Sequence, residues 1–216
     1  MNKRKLVAMV GMDGSGKSAN LNLMKNDKEF ANTLFLWVRW EPCLLKPLYS
    51  ILNKKQKTNS ITLNESYCKK SSTKKKLFKS GIVRNLWLIA AVIDYTIEFR
   101  RKTKVAFKSG KNIVFDRYYL DLFIDQGINF DSSPSQIEKM IKRYSFLFPD
   151  MDETIYIRVH PQVCLERKDD IPNIDYLNVR WNIYEYLAQT FGWKIIDGEQ
   201  SLEKVYNEIK KTIKEI

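Results

Sequence analysis

The sequence contains little histidine and little cysteine. Its one histidine excludes a metal site built from several histidines, and its three cysteines (Cys43, Cys68 and Cys164) lack the spacing of metal ligands. Their odd number also argues against a closed set of disulfides. Long hydrophobic runs are absent too: residues 6–10 are too few for the apolar core of a signal peptide, and residues 86–93 are too few to span a membrane. We therefore expect a cytoplasmic protein.

The remaining composition is that of an ordinary globular protein. Of the 216 residues, 44% are hydrophobic and 29% are charged, which excludes wholesale disorder, a collagen-like repeat and a small disulfide-rich scaffold. This length suits one domain, and no internal repeat is visible. The formal net charge is +12, so nucleotides, nucleic acid and anionic lipid are all candidate ligands, among which charge alone does not choose.

Short apolar runs alternate along the chain with segments of helical periodicity. The runs that predict strands are residues 6–10, 33–39, 112–115, 153–159 and 193–196. The predicted helices are 17–28, 85–102, a helix through Leu120 and Ile124, 135–148, 161–168, 178–191 and 202–213. Alternation of this kind predicts a three-layer α/β fold, in which helices flank both faces of a five-stranded parallel sheet.

One segment interrupts this pattern. Residues 46–79 contain ten lysines and a single acid, Glu65, so this stretch supplies +9 of the net charge of +12. We predict an insertion at about residues 43–83, between the second strand and the long helix. Two interpretations stay open: a solvated loop, or an anion-facing flap that contacts a phosphorylated substrate, nucleic acid or an anionic membrane.

The strongest motif lies directly after the first predicted strand. Residues 11–18 read Gly-Met-Asp-Gly-Ser-Gly-Lys-Ser and fit the phosphate-binding pattern G-x-x-x-x-G-K-[ST]. The glycines allow backbone N–H groups to turn toward phosphate oxygens, and the following helix N-terminus adds a partial positive charge. Lys17 is expected to reach the β- and γ-phosphates, and Ser18 is expected to hold Mg²⁺. The motif predicts a site for a nucleoside triphosphate.

Charged residues also follow two other predicted strands. Asp116 ends the third strand, where a P-loop fold holds its metal ion; the alternative is a helix N-cap. Arg117 comes next, and Arg39 lies at the end of the second strand. Because ligands of open α/β sheets bind outside the carboxyl ends of the strands, Arg39 and Arg117 are expected to converge on a phosphate opposite the P-loop.

Together these motifs resemble the thymidylate kinase family of nucleoside-monophosphate kinases, over nearly the whole chain. The residues that match family motifs are, in chain order, Asp13 in the P-loop; Arg39, Glu41 and Pro42; Asp116, Arg117 and Tyr118; Val159, Pro161, Leu165 and Arg167; and Val179, Arg180, Tyr184, Leu187, Ala188, Ile196, Asp197 and Gly198. The resemblance implies a P-loop NTPase fold, with residues 1–216 as a single kinase domain and a short lid at about 167–175.

The resemblance also implies a reaction, which is Mg²⁺-dependent transfer of the γ-phosphoryl group of ATP to a nucleoside monophosphate, with dTMP to dTDP expected. The residues it implies for catalysis are Lys17, Asp116, Arg117 and Arg167. Those implied for ATP are Gly11, Asp13, Gly14, Ser15, Gly16, Lys17, Ser18 and Asp197, with Ser18 and Asp116 at the metal. Those implied for the acceptor are Asp13, Arg39, Glu41, Arg117 and Tyr118. A homodimer through the long middle helix is implied as well.

The chain departs from the family pattern near the acceptor. Family members carry an arginine beside the thymine in the long helix, whereas residues 90–94 read Ala-Ala-Val-Ile-Asp here. His160 replaces a common acidic residue, and the lid is poorer in arginine. Two alternatives therefore stay open: a related P-loop kinase that acts on a sugar or another phosphorylated metabolite, and a nucleotide-binding module without turnover that contacts polyanions.

Overall fold

The computed structural model describes residues 4–47 and 78–216. Five strands form one parallel sheet in the order β2-β3-β1-β4-β5. The strands are β1 Leu6–Val10, β2 Thr33–Trp37, β3 Asn112–Asp116, β4 Glu153–Arg158 and β5 Lys194–Asp197. The predicted five-stranded parallel α/β fold is confirmed. Most of the lysine-rich segment, residues 48–77, lies outside the described residues, so its predicted role as a flap stays a prediction.

Seven α-helices flank the sheet in the described ranges. They are α1 Lys17–Asn26, α2 Gly81–Lys108, α3 Tyr119–Asn129, α4 Pro134–Tyr144, α5 Pro161–Glu166, α6 Ile174–Phe191 and α7 Leu202–Glu215. Two short 3₁₀ turns, Lys28–Phe30 and Ser145–Leu147, follow α1 and α4. Across the two described ranges, no helix combines the length and the apolar character needed to cross a bilayer.

Strand β1 lies at the centre of the sheet. All five of its residues are buried, as expected for a parallel strand with neighbours on both sides and helices on both faces. Its Met9 pairs with Asp116 of β3, which in turn pairs with Trp37 of β2. This register places the carboxyl ends of β1, β2 and β3 side by side, so the P-loop, Arg117 and Arg39 emerge at the same edge.

Helix α2 is longer at both ends than the predicted segment 85–102. It begins after Ser80, and it ends just before Gly110, whose φ of 70° breaks the helical conformation. Its buried side chains Leu88, Tyr95 and Phe99 lie three to four residues apart or a multiple of that, which is the spacing that the sequence shows. The predicted segment was too short, although apolar residues at helical spacing continue beyond both of its ends, to Ile82 and Ala106.

Helix α6 begins four residues earlier than predicted. The side chain of Asn173 accepts a hydrogen bond from the backbone N–H of Tyr176 (2.8 Å) and caps the helix directly after Pro172. The irregular segment between α5 and α6 is therefore 167–173, slightly shorter than the expected lid at 167–175. Tyr176 becomes part of the first turn of α6, with its side chain half-buried.

Candidate active site

The carboxyl ends of three strands enclose a cleft of about 470 Å³. The side chains and backbone that line it are Asp13, Gly14, Gly16, Lys17, Ser18, Ala19, Trp37, Arg39, Asp116, Arg117, Arg167 and Lys168. Nine of these were singled out from the sequence, and the fold brings them together from four separate stretches of chain.

Two glycines allow the P-loop to turn tightly. Gly14 has φ 86°, and a Cβ there would lie 2.6 Å from the carbonyl oxygen of Cys164. Gly16 occupies the N-cap of α1 in the left-handed conformation, with φ 89°. Glycine adopts these conformations without the steric penalty of other residues. The loop therefore delivers the N-terminal N–H groups of α1 to the cleft, an arrangement that favours phosphate.

Lys17 is buried inside the loop. Its ammonium group donates hydrogen bonds to the carbonyl oxygens of Gly11 (2.8 Å) and Met12 (2.7 Å) and to the hydroxyl of Ser15 (3.1 Å). Burial, assisted by the nearby Arg117 guanidinium, lowers the pKa of Lys17 to about 8. The ammonium group thus lies inside the loop at the start of α1, and it loses its proton more readily than an ordinary lysine does.

Arg117 lines the same cleft as Lys17 and is held in an uncommon backbone conformation. Its φ of 65° is positive, and its backbone N–H donates to the carbonyl oxygen of Met9 (3.3 Å). Its guanidinium forms an ion pair with Asp13 and lies 3.7 Å from the carboxylate of Asp121. Burial disfavours its charge, but Asp121 and Asp13 outweigh that cost and raise its pKa.

Asp13 joins the P-loop to Arg117 and Tyr176 on the other side of the cleft. Besides Arg117, it accepts a hydrogen bond from the Tyr176 hydroxyl (2.9 Å). Burial alone would raise the pKa of Asp13, but Arg117, Lys17 and the Tyr176 hydrogen bond hold it well below its usual range. Asp13 is therefore a fixed anion, suited to orient the arginine or to accept from a substrate hydroxyl.

Beyond Asp13 the charged array continues through residues that sequence reasoning assigned no role. The Arg180 guanidinium lies 4.0 Å from the ring centre of Tyr176 and forms an ion pair with Asp125. Asp125 also lies 3.6 Å from Arg39. On the other side, Asp121 accepts a hydrogen bond from the Tyr184 hydroxyl (2.6 Å). Asp121 and Asp125 are four residues apart on α3, so the helical spacing of two acids after Asp116-Arg117 was the available signal.

Arg167 enters the cleft from the end of α5. Its guanidinium donates a hydrogen bond to the carbonyl oxygen of Gly198 (3.0 Å), which follows β5. The next residue, Lys168, forms an ion pair with Asp170 (3.1 Å). Both cations line the cleft on the P-loop side, where the donor phosphates are expected.

Asp116 and Ser18 line the same cleft, and the two residues fit a magnesium ion. Asp116 is half-buried, and burial raises its pKa, which marks a carboxylate that gains from a cation. The hydroxyl of Ser18 is exposed at the start of α1. Mg²⁺ prefers oxygen ligands and takes only one or two from the protein when phosphates and water complete its shell.

Five expected site residues do not line the cleft. Two of them, Gly11 and Ser15, are buried in the P-loop itself. Tyr118 is buried, its ring stacks on Phe115, and its hydroxyl donates to the carbonyl oxygen of Pro149 (2.6 Å), so it packs in the core, and its expected contact with the acceptor stays a prediction. Asp197 is exposed and accepts from the backbone N–H of Glu199 (3.0 Å). Glu41 is exposed and does not line the cleft.

The segment that carries Glu41 is anchored from the long helix. The buried carboxylate of Asp94 in α2 accepts hydrogen bonds from the indole N–H of Trp40 (3.2 Å) and from the backbone N–H groups of Cys43 (3.0 Å) and Leu44 (2.7 Å). The sequence offered a signal here, since Asp94 is an acid within the apolar period of a helix.

Comparisons with known proteins agree on the architecture. No family model and no curated protein matches this sequence. Among solved structures, a deoxyadenosine kinase from M. mycoides with products dCMP and a flexible dCDP bound is 17% identical, with a TM-score of 0.55 over 98% of this chain and 100% of that chain. A thymidylate kinase from Ehrlichia chaffeensis is 16% identical, with a TM-score of 0.58 over 99% and 100%.

This chain has the fold of P-loop nucleoside and nucleotide kinases. The expected P-loop kinase architecture is thereby confirmed across nearly the whole chain. The kinase fold also accounts for the location of the cleft, because ligands of open α/β sheets bind beyond the carboxyl ends of the strands.

Proposed function

We propose that this chain is an ATP- and Mg²⁺-dependent phosphotransferase of thymidylate kinase type, acting as a single domain over residues 1–216. It transfers the γ-phosphoryl group of ATP to a nucleoside monophosphate, with dTMP as the expected acceptor. One observation carries the proposal: Lys17 of the P-loop and the arginines Arg39 and Arg117 line the same cleft. A donor phosphate and an acceptor phosphate can therefore meet there.

The donor half of the cleft binds ATP through the P-loop. The N–H groups at the start of α1 and the ammonium of Lys17 compensate the charge of the phosphates, and Arg167 approaches from the lid at 167–173. Ser18 and Asp116 would hold Mg²⁺, which supplies charge neutralisation between the phosphates when bound. Phosphoryl transfer of this kind is accelerated by positioning and electrostatics, and no residue forms a covalent intermediate.

The acceptor half orients the attacking phosphate. Arg117 is held between Asp13 and Asp121, so its guanidinium is directed before the substrate arrives. Arg39 approaches from the end of β2, and a guanidinium fork suits a phosphate better than an ammonium does. Asp13, which is ionised at neutral pH, can also accept from an acceptor hydroxyl.

A deoxynucleoside acceptor is the second candidate. Its support is the charge balance of the acceptor half, where Arg39, Arg117 and Arg180 are matched by Asp13, Asp121 and Asp125. An array that is already neutral suits an uncharged acceptor hydroxyl as well as a phosphate. The fold of this chain is shared by a deoxyadenosine kinase and by a thymidylate kinase.

The deciding experiment is ATP consumption with Mg²⁺ against dTMP, dUMP, UMP, CMP, AMP and GMP, and against the matching nucleosides. We expect turnover on a monophosphate, lost in Lys17→Ala and Arg117→Ala while thermal melting shows that both variants fold. Turnover on nucleosides alone would select the second candidate. Tight ATP binding without turnover on either series would reject both and direct the search to sugars, other phosphorylated metabolites or polyanions.

We also propose a homodimer through α2. Five exposed apolar side chains follow one face of this helix at spacings of four, three, four and four residues, namely Ile82, Leu86, Ile89, Ile93 and Ile97. A continuous exposed stripe of this kind is typical of an interface. The expected cytoplasmic location and the contact of the lysine-rich segment with nucleic acid or anionic membrane stay predictions.

A further inference from the structure

Asp125 lies between two arginines that come from different parts of the chain. Arg39 follows β2, Arg180 belongs to α6, and Asp125 is on α3. One carboxylate oxygen forms an ion pair with Arg180, and the other lies 3.6 Å from Arg39. Sequence reasoning and the proposed reaction leave Asp125 without a role, yet it contacts one of the two arginines expected to bind the acceptor phosphate.

The two ion pairs of Asp125 are unequal. The Arg180 side chain is only 12% exposed, lies against the Tyr176 ring and makes the closer contact, so this pair is a fixed part of the fold. The Arg39 side chain is 37% exposed and its contact is longer. Long, exposed ion pairs contribute little and exchange readily. Arg39 can therefore leave Asp125, whereas Asp125 cannot easily leave Arg180.

A phosphate that binds Arg39 meets the charge of Asp125. Both groups are anions and both are attracted to the Arg39 guanidinium, so each weakens the binding of the other to that guanidinium. An uncharged acceptor has no such conflict. The fold thus builds an anion into the subsite where the acceptor phosphate is expected.

We propose that Asp125 is a positioning residue of the acceptor subsite: anchored by Arg180, it competes with the acceptor phosphate for Arg39 and so limits the affinity for phosphorylated acceptors. This inference rests on the proposed function, because it concerns the acceptor phosphate. It makes Asp125 a determinant of the preference between a monophosphate and the matching nucleoside.

The test is Asp125→Asn, which keeps an oxygen that accepts from Arg180 and removes the negative charge. We expect KM for dTMP to fall about three- to tenfold with kcat within about twofold of wild type, because one screened ion pair no longer competes. Binding of thymidine by calorimetry should not change. The matched control is Glu215→Gln, which removes one charge from an exposed ion pair with Lys211 on α7 and should change neither constant.

A structural role for Asp125 predicts the opposite pattern. If Asp125 only supports the fold, Asp125→Asn lowers the melting temperature and weakens dTMP and thymidine binding together, which would overturn the proposal. A double-mutant cycle makes the test independent of stability. In an Arg39→Ala background, Asp125→Asn should no longer lower KM, since the residue for which the two anions compete is gone. An equal fall in KM in that background contradicts the mechanism.

A second probe separates this inference from the proposed acceptor. With the donor site filled by Mg²⁺ and a non-hydrolysable ATP analogue, inorganic phosphate should raise the melting temperature of Asp125→Asn more than that of the wild type. If phosphate stabilises Asp125→Asn more than the wild type but no monophosphate is turned over, Asp125 does compete with phosphate for Arg39, and the proposed nucleotide acceptor is rejected. If phosphate raises the melting temperature of both proteins equally, the proposal that Asp125 competes with phosphate for Arg39 is rejected.

Discussion

Lys17 and Asp116 line the same cleft, and burial pushes both toward their uncharged forms. The pKa of Lys17 falls to about 8, and the pKa of Asp116 rises. Burial therefore raises the free energy of each charged form in the protein alone, and a bound ligand of opposite charge would lower it. Perturbed groups of this kind concentrate at functional sites, and these two line the cleft that we propose to bind ATP.

ATP binding should take up a proton near pH 8. Lys17 is about half protonated at that pH, and the phosphates of ATP favour its charged form, so we expect an uptake of up to about half a proton. Calorimetry in two buffers with different enthalpies of ionisation measures it directly. Lys17→Arg should show no uptake, because arginine stays charged. Proton release by the wild type would contradict a lowered pKa of Lys17.

Asp116→Asn should stabilise the protein while it abolishes turnover. A carboxylate whose folded pKa is raised contributes stability below its usual pKa and loses that contribution as pH rises through the folded value, so its ionised form costs stability at pH 7. The amide removes this cost. We expect a higher melting temperature at pH 7, an unchanged one near pH 3, and kcat lower by at least about a hundredfold. A lower melting temperature at pH 7 would contradict this view of Asp116.

At the scale of elements, α2 positions the segment that follows β2, residues 38–44. The hydroxyl of Tyr95 donates to the carbonyl oxygen of Val38 (2.9 Å), and Asp94 receives three N–H groups from residues 40–44. These bonds fix the chain on either side of Arg39 and Glu41. The long helix therefore helps to position Arg39, which lines the cleft.

Asp94→Ala should weaken the acceptor subsite and the fold together. It leaves three N–H donors without their acceptor, so we expect a loss of about 2–4 kcal/mol in urea unfolding. KM for the acceptor should rise more than KM for ATP, because the released segment directly follows Arg39, whereas the P-loop follows β1. The control is Thr96→Val on the same helix, whose hydroxyl donates to the carbonyl oxygen of Val92 one turn earlier in α2 (2.7 Å). Equal rises in both KM values would show that the effect is general.

At the scale of the whole molecule, the exposed stripe on α2 predicts association. Ile93 lies within the stripe, whereas Val105, on the same helix and also exposed, lies off it. We expect the wild type to sediment with twice the mass of the chain and Ile93→Arg with the mass of one chain. Val105→Arg should behave as the wild type. Dissociation by both substitutions, or by neither, would reject the stripe as the interface.

Much of the cleft lining could be predicted from local sequence. The P-loop and the strand before it are contiguous, so a buried apolar run followed by glycines and Lys17 is enough to predict a phosphate site. Asp116 and Arg117 were found for the same reason, at the end of another apolar run. Tyr118 was assigned to the acceptor by motif, but its orientation depends on the packing of α3, which directs its ring into the core.

The amino-acid sequence by itself determined the order and type of the strands and helices and the position of the P-loop, because each depends on neighbours within a few residues. The ends of α2 and the start of α6 were decided by the folded chain. Only the tertiary structure decided which charges face one another. Asp125 meets Arg39 and Arg180 through the register of the sheet and the packing of α3 against α6, and no local pattern encodes such a meeting. The same holds for Asp94 and the 40–44 segment. Ion pairs and buried hydrogen bonds between distant residues follow from the assembled fold, since their energy depends on distance and burial and not on separation along the chain.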